Sequence, residues 1–233
     1  NVNNSIYDIA VQPDGKFVIA GSFTQVNSAT ANRVARLNAD GTLDNTFNAG
    51  TGPNNVVYGV ALQADGRVLL VGQFSQVAGA SGTAYAARLN TNGTVDTTFN
   101  VSANHYGWDV AVQPDGKILI GGQGVIAGKA YLARVNPNGS VDSAFTHTFN
   151  NYVYRIRVLE EGKILVAGFF GSANSAPVTG LVKLNADGTT DTAFIGVPSG
   201  TGTVWAMEEQ YDAKLVLAGS FTTFNTAARS RII

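Results

Sequence analysis

AVQPDGK occupies residues 10 to 16 and returns, letter for letter, at residues 111 to 117. Identical heptapeptides in one chain point to a repeated piece of structure, so the period is read ahead of the individual elements. The glycine of this stretch recurs as Gly15, Gly66, Gly116 and Gly162, with Ala213 in the fifth place, at steps of 51, 50, 46 and 51 residues. A second motif keeps the same rhythm: RLNADGTLDNTF from Arg36, RLNTNGTVDTTF from Arg88, RVNPNGSVDSAF from Arg134 and KLNADGTTDTAF from Lys183. The units run approximately 1–50, 51–101, 102–148, 149–198 and 199–233, and the fifth stops at Ile233 where its second motif would begin.

Each unit reads as two hairpins. Ile6 to Gln12 alternates and ends in Pro13, Asp14 and Gly15; Lys16 to Gly21 is then nearly all apolar, as in a strand buried on both faces. Proline or alanine, then Asp or Asn, then Gly suits a type I turn followed by a residue at positive φ, which glycine adopts at no steric cost. The second motif closes in the same way through Asn38, Ala39, Asp40 and Gly41, or Asn136, Pro137, Asn138 and Gly139. That register sets Leu37 opposite Leu43 and Arg36 opposite Asp44. The eight-residue separation recurs in Arg88 with Asp96, Arg134 with Asp142 and Lys183 with Asp191, as cross-strand ion pairs require. On an exposed face each pair would contribute only about 0–1 kcal/mol.

Four-stranded units arrayed in series at this period are the signature of a β-propeller. The expected fold is all-β: one domain over 1–233, a propeller of about five four-stranded antiparallel blades. Either the ring closes incompletely at Ile233 or these residues belong to a longer array.

AVQPDGK, the apolar strand leading to Ala20, Gly21, Ser22 and Phe23, and RVARLNADGTLDNTFN from Arg33 together resemble the delta-sixty repeat, a β-propeller-type repeat of bacterial secreted and surface proteins. The resemblance covers nearly the whole chain. It implies a repeat architecture in an extracellular or cell-surface protein and brings no catalytic motif with it. The pattern departs at Leu159, Glu160, Glu161 and Gly162 in the fourth unit, and at Gln210, Tyr211, Asp212 and Ala213 in the fifth.

Charged residues make up 13% of the chain, about half the usual roughly 25%, and the net charge is -1 with no basic run. A nucleic-acid partner is therefore not expected. No apolar stretch reaches the length of a membrane span, so direct membrane insertion is not expected either. Absent cysteine removes disulfides and thiolate metal sites. A chain beginning at Asn1 rather than Met reads as a mature or excised segment.

Catalysis has little to build on. The two histidines, His105 and His147, fall in loops of different units, and no nucleophile elbow, zinc motif or phosphate loop is present. The expectation is a protein that is not an enzyme and uses no cofactor. Asn38, Asp40 and Asp44 have the alternating oxygen donors of a calcium loop, but Asn92 and Asn138 replace the middle acid, which suits a turn; no metal site is expected.

One feature recurs without being part of either hairpin turn. At the entry to each unit's first strand stand Tyr7, Tyr58, Trp108, Tyr154 and Trp205, and near them Asn55, Asn104 and Asn151. An aromatic ring beside an amide is the chemistry of sugar recognition, because C–H faces stack on the ring while the amide bonds hydroxyls. The competing reading has these rings wedged between blades. Where Ala10, Ala61 and Ala111 stand in three units, Arg157 and Glu208 stand in the next two, which points to an ion pair between adjacent first strands. Small polar loops such as Thr24 to Asn32 and Ala78 to Ala84 suit a wet binding face. The function expected is adhesion or partner binding at a bacterial surface, with a surface glycan or a protein as partner. A lectin using the aromatics is the alternative; an enzyme using the central face is a further one.

Overall fold

A computed structural model describes residues 1–159, 161–194, 198–199, 202–212, 214–224, 227–228 and 231–232. The departures at Glu160 and Ala213, and the terminal Ile233, lie outside the described residues. All regular structure among them is β.

Four three-stranded antiparallel sheets, one to a unit, follow one another along the chain beside smaller pairings of two-residue strands. Sheet 1 comprises Ile6–Val11, Phe17–Gly21 and Val34–Leu37; sheet 2 comprises Val57–Leu62, Val68–Gly72 and Ala86–Leu89. Sheet 3 is Gly107–Val112, Ile118–Ile126 and Lys129–Val135, and sheet 4 is Val153–Val158, Ile164–Gly168 and Leu181–Leu184. A fifth sheet pairs Val204–Glu209 with Leu215–Gly219. The first strands of successive sheets pack on one another in chain order and form an inner row.

The first hairpin closes as its turn chemistry predicts. Gln12 N donates to Lys16 O at 2.7 Å, Gly15 N donates to Gln12 O at 3.0 Å, and Gly15 has φ +82°. Gly66 repeats the geometry at φ +80°, a region that a Cβ makes costly.

The second hairpin keeps its register too, with single bridges Leu37 to Leu43, Leu89 to Val95, Val135 to Val141 and Leu184 to Thr190. These bridges are all that forms of the expected fourth strand. Asp44 explains the stop: its Oδ1 accepts Thr46 N at 2.9 Å and Thr46 Oγ1 at 2.6 Å, while Phe47 N turns back to Asp44 O. An aspartate that binds the backbone two residues on makes a turn, and the strand cannot continue. The chain instead drops Phe47 into the core between sheets 1 and 2, and Phe99 and Phe145 into the next two cores. A phenylalanine so buried contributes about 1.5–3 kcal/mol.

The Arg–Asp pairs form as spaced, yet they are buried rather than exposed. Arg36 Nε lies 2.8 Å from Asp44 Oδ2, Arg88 Nη2 lies 2.8 Å from Asp96 Oδ2, and Arg134 Nε lies 2.7 Å from Asp142 Oδ2. Each guanidinium has a second task. Arg36 Nη1 donates to Thr91 O of the next sheet's hairpin, Arg88 to Pro137 O and Arg134 to Ala186 O, so each strap joins one sheet to its successor. Lys183 holds Asp191 at 3.6 Å and Glu161 at 3.4 Å; an ammonium has no planar fork to share between two partners.

Sheets 1 to 5 pack in sequence, and the array is open at its first face. Ile9 is 53% exposed, while Val60 and Val110, which hold the same place in the next two sheets, are 5% exposed.

Candidate functional site

In each inner strand the pairing skips one residue. Ile6 faces Gly21 and Asp8 faces Ala20, which leaves Tyr7 as the extra residue of a β-bulge. The same shift isolates Tyr58, Trp108, Tyr154 and Trp205. A bulge re-aims the side chain that it leaves out of register. Opposite each bulge stands a glycine of the second strand: Gly21, Gly72, Gly168 and Gly219, which end theirs, and Gly122 within the longer Ile118–Ile126. A Cβ on Gly72 would collide with the Val56 carbonyl, and the other four meet a backbone carbonyl in the same way. These glycines are the sequence signal for the bulges, and reading them only as part of a repeated motif misses it.

Four of the five aromatics form one continuous row. Ring centroids are 5.6 Å apart for Tyr7 and Tyr58, 4.4 Å for Tyr58 and Trp108, and 5.6 Å for Trp108 and Tyr154, the last pair meeting edge to face at 88°. The row is neither fully wedged nor fully free: Tyr7 is 48% exposed, whereas Tyr58, Trp108 and Tyr154 are half-buried. Trp205 holds the fifth bulge, is 52% exposed and makes no ring contact with the row among the described residues. Tyr58 Oη donates to Gln73 Oε1 at 3.2 Å, and Gln73 Nε2 donates to Tyr106 Oη at 2.9 Å, which buttresses the row from outside. Burial raises the phenol pKa of Tyr58 and of Tyr154. Trp108 Nε1 is buried without a hydrogen-bond partner.

The asparagines have structural tasks. Asn55 Oδ1 accepts Val56 N at 2.8 Å and Asn151 Oδ1 accepts Tyr152 N at 2.9 Å. Asn104 belongs to a different position: its Oδ1 accepts Val125 N at 2.9 Å, as Asn54 Oδ1 accepts Ser75 N across the same separation. Their carbonyl oxygens fix the approach to the row, and groups of another kind stand beside the rings.

Those groups escape a sequence reading because no two neighbouring units share them. The residue after the aromatic is Asp8, Gly59, Asp109, Arg155 and Ala206 in turn. Asp8 and Asp109 line a cavity of ≈ 560 Å³ together with Arg155, Arg157, Glu208 and Glu209. Asp8 Oδ2 accepts Val60 N at 2.8 Å from the next sheet, and Asp109 Oδ2 accepts Ile156 N at 2.7 Å likewise. Burial raises the pKa of Asp8, and it pushes Asp109 up to about 7. The expected pair between adjacent inner strands is present, Arg157 Nη2 to Glu208 Oε1 at 2.6 Å.

The histidines stand apart. His105 Nδ1 accepts Tyr106 N at 3.0 Å, and His147 Nε2 lies 2.6 Å from Leu132 O, with burial lowering its pKa to about 4. Asp40, the candidate calcium ligand, accepts Thr42 N and Thr42 Oγ1 within its own turn. Among the described residues no group of three or more His, Cys, Asp or Glu side chains is arranged to hold a metal ion.

A family model described as "Domain of unknown function (DUF5122) beta-propeller" matches residues 12–47, 63–99, 113–145 and 161–194, more than half of the chain. Among curated proteins none matches. Solved structures share the fold at low identity. The extracellular domain of a hybrid two-component system from B. thetaiotaomicron superposes at TM-score 0.59 with 14% identity, over 98% of this chain and 26% of that one. Virginiamycin B lyase from Staphylococcus aureus superposes at 0.58 with 13% identity, over 100% of this chain and 72% of that one. The extracellular domain of a one-component system from B. thetaiotaomicron gives 0.54 with 12% identity, over 99% and 30%. The chain thus spans about a quarter of the first of these proteins and less than a third of the last.

Proposed function

The chain belongs to the DUF5122 β-propeller family, and we propose that it is a non-catalytic binding module of a secreted or cell-surface bacterial protein whose aromatic row takes a glycan. On this reading the repeat is of the delta-sixty type and each unit is one blade, its fourth strand reduced to a bridge. The observation that carries the proposal is the row itself: Tyr7, Tyr58, Trp108 and Tyr154, presented by four successive bulges in continuous contact. Rings turned out of register by a bulge and kept half-open cover apolar C–H faces of a pyranose. The cavity beside the row, with its carboxylates and guanidinium groups, supplies hydrogen bonds to hydroxyls.

The extracellular setting of two structural neighbours supports the surface assignment, and the lyase among the neighbours makes catalysis the competing class. A panel of immobilised glycans probed with the purified chain, followed by calorimetry on the best binder, tests the proposal. Trp108→Ala is expected to weaken binding at least tenfold, about 1.4 kcal/mol, with its melting temperature near that of the wild type. Absence of binding to every glycan by a folded wild-type chain overturns the glycan reading.

A further inference from the structure

Asp8 and Asp109 do the same job at two places. Each carboxylate accepts its own following backbone N–H with Oδ1, Ile9 N at 2.9 Å for Asp8 and Val110 N at 2.9 Å for Asp109. With Oδ2 each reaches the adjacent sheet, Val60 N at 2.8 Å for Asp8 and Ile156 N at 2.7 Å for Asp109. The residues so joined lie directly beside the bulges. Asp8 therefore ties the Tyr7 bulge to the Tyr58 bulge, and Asp109 ties the Trp108 bulge to that of Tyr154. Between the two tied pairs stands Gly59, which has no side chain to tie anything. Tyr58 and Trp108 stack there, 4.4 Å apart at 30°. In sheet 4 the same position is Arg155, whose Nη1 donates to Tyr154 O at 2.9 Å.

We infer that Asp109 is the positioning residue for the Trp108–Tyr154 half of the row, and that its ionisation couples the geometry of that half to pH. That the row receives a ligand rests on the preceding proposal; the tie between bulges does not. A carboxylate bonded to two N–H groups makes charge-assisted hydrogen bonds, roughly twice as strong as neutral ones. Protonation exchanges the strong tie for a weak one between the same atoms.

The surroundings put this exchange near neutral pH. Asp109 shares its cavity with Asp8 from the inner strand of sheet 1, with Arg155 and Arg157 from sheet 4, and with Glu208 and Glu209 from sheet 5. Ile118–Ile126, its partner strand within sheet 3, carries no titratable group. Burial is the largest influence and pushes Asp109 up to about 7, Arg155 and the Ile156 N–H pull down against it, and Asp8 adds a further upward push. Above that pH the tie is ionic and the Trp108–Tyr154 edge-to-face pair is held; as pH falls through about 7 the tie weakens.

The chain has two tryptophans, so Trp205→Phe leaves Trp108 as the sole indole reporter. In that background the emission spectrum, followed from about pH 5 to 9 with no ligand present, is expected to change with a midpoint near 7, bracketing the Asp109 titration. Adding Asp109→Asn is expected to abolish the transition, and adding Asp8→Asn to keep it while moving its midpoint to lower pH, because the Asp8 charge pushes Asp109 upward. A flat titration of the Trp205→Phe chain, or a transition that survives Asp109→Asn in a chain that still melts cooperatively, overturns the inference. Should the double variant fail to fold, carbon-detected NMR of the wild-type aspartate carboxyls decides. A carboxyl titrating near pH 7 supports the assignment, and titration of every carboxyl below about pH 5 overturns it. All of these readouts are independent of any glycan, so they succeed or fail separately from the binding proposal.

Discussion

The outer and inner ends of the sheets solve different problems. At the outer end the second hairpin repeats one device: an arginine that pairs with its aspartate, reaches the next sheet's turn carbonyl and lies over its own phenylalanine, at 5.0, 4.5 and 4.3 Å in sheets 1 to 3. At the inner end the residue after the aromatic changes from each unit to the next, from Asp8 to Gly59, Asp109, Arg155 and Ala206. A position that every sheet fills alike answers to what every sheet must do, which is to pack on its successor. A position that differs from sheet to sheet is free to make one particular surface. On the proposed function the outer clamp carries stability, and the inner row carries the binding site.

The strongest way to break that comparison is at the outer end. Arg134→Ala leaves Asp142 buried with Lys117 as its remaining cation and removes the strap to Ala186 O. Deleting one partner of a buried pair costs about 3–5 kcal/mol, because the other charge stays buried. Lys183→Ala in sheet 4, where no such strap is made among the described residues, is expected to cost at most about 1 kcal/mol. Equal losses in two urea denaturation series would mean that the strap between sheets contributes nothing.

The clamp also marks how far the fold is legible in the chain's own spacing. Both turns, the bridge from Leu37 to Leu43 and the pairing of Arg36 with Asp44 follow from spacing alone, since hairpin register is arithmetic once the turn type is known. Burial of the pair does not follow, because it depends on the next sheet's hairpin stacking over the guanidinium. The early end of the fourth strand is written in the local Asp-x-Thr turn, but the alternation of LNADGTLD outweighs it in a strand-by-strand reading. At the inner end the aromatics are visible through their recurrence, whereas Asp8 and Asp109 are hidden for the opposite reason. They recur in only two units and ordinary inner-strand composition surrounds them.

The acid and alkaline limbs of stability separate the two ends next. Asp44 has its pKa lowered, by the Lys16 hydrogen bond first and then by Thr46, so its contribution is present above the unfolded value near 3.8 and is lost as pH falls. Asp109 is shifted the other way, because the cost of burying its charge exceeds what its two N–H bonds return: the local tie is stronger when ionised, yet the net contribution to stability is full below the unfolded value and is lost as pH rises through about 7. Stability limited by these two groups is expected to peak at about pH 4 and to decline from there to about pH 7. Asp109→Asn is expected to remove that decline alone, so that the difference in melting temperature between variant and wild type changes between pH 5 and pH 8. A decline unchanged by the substitution would assign it to another group.

Gly66→Val tests a feature that belongs to neither end. With φ +80° and a Cβ that would lie 3.2 Å from Thr91 Cγ2, valine there is expected to cost about 1 kcal/mol or more. The cost should fall on stability and leave the aromatic row in place. A variant that melts with the wild type would mean that this turn tolerates a side chain at positive φ, and would remove the turn glycine as a determinant of the repeat.

Glu208→Gln is expected to have the smallest effect and sharpens the comparison most. The pair with Arg157 is short, 2.6 Å, but its side chains are 42% and 64% exposed, so water competes for both charges. Exposed pairs of this kind contribute about 0–1 kcal/mol, and at 1 M salt the screening length of roughly 3 Å removes most of that. The glutamine variant should therefore melt close to the wild type, and closer still at high salt. Its effect belongs to the cavity, where it takes away one of the carboxylates that set the potential beside Asp109 and Arg155. A salt-resistant loss above about 2 kcal/mol would place this pair among the structural clamps, since an exposed pair cannot supply it. The inner end would then be held together as the outer end is, and the division of labour between them would fail.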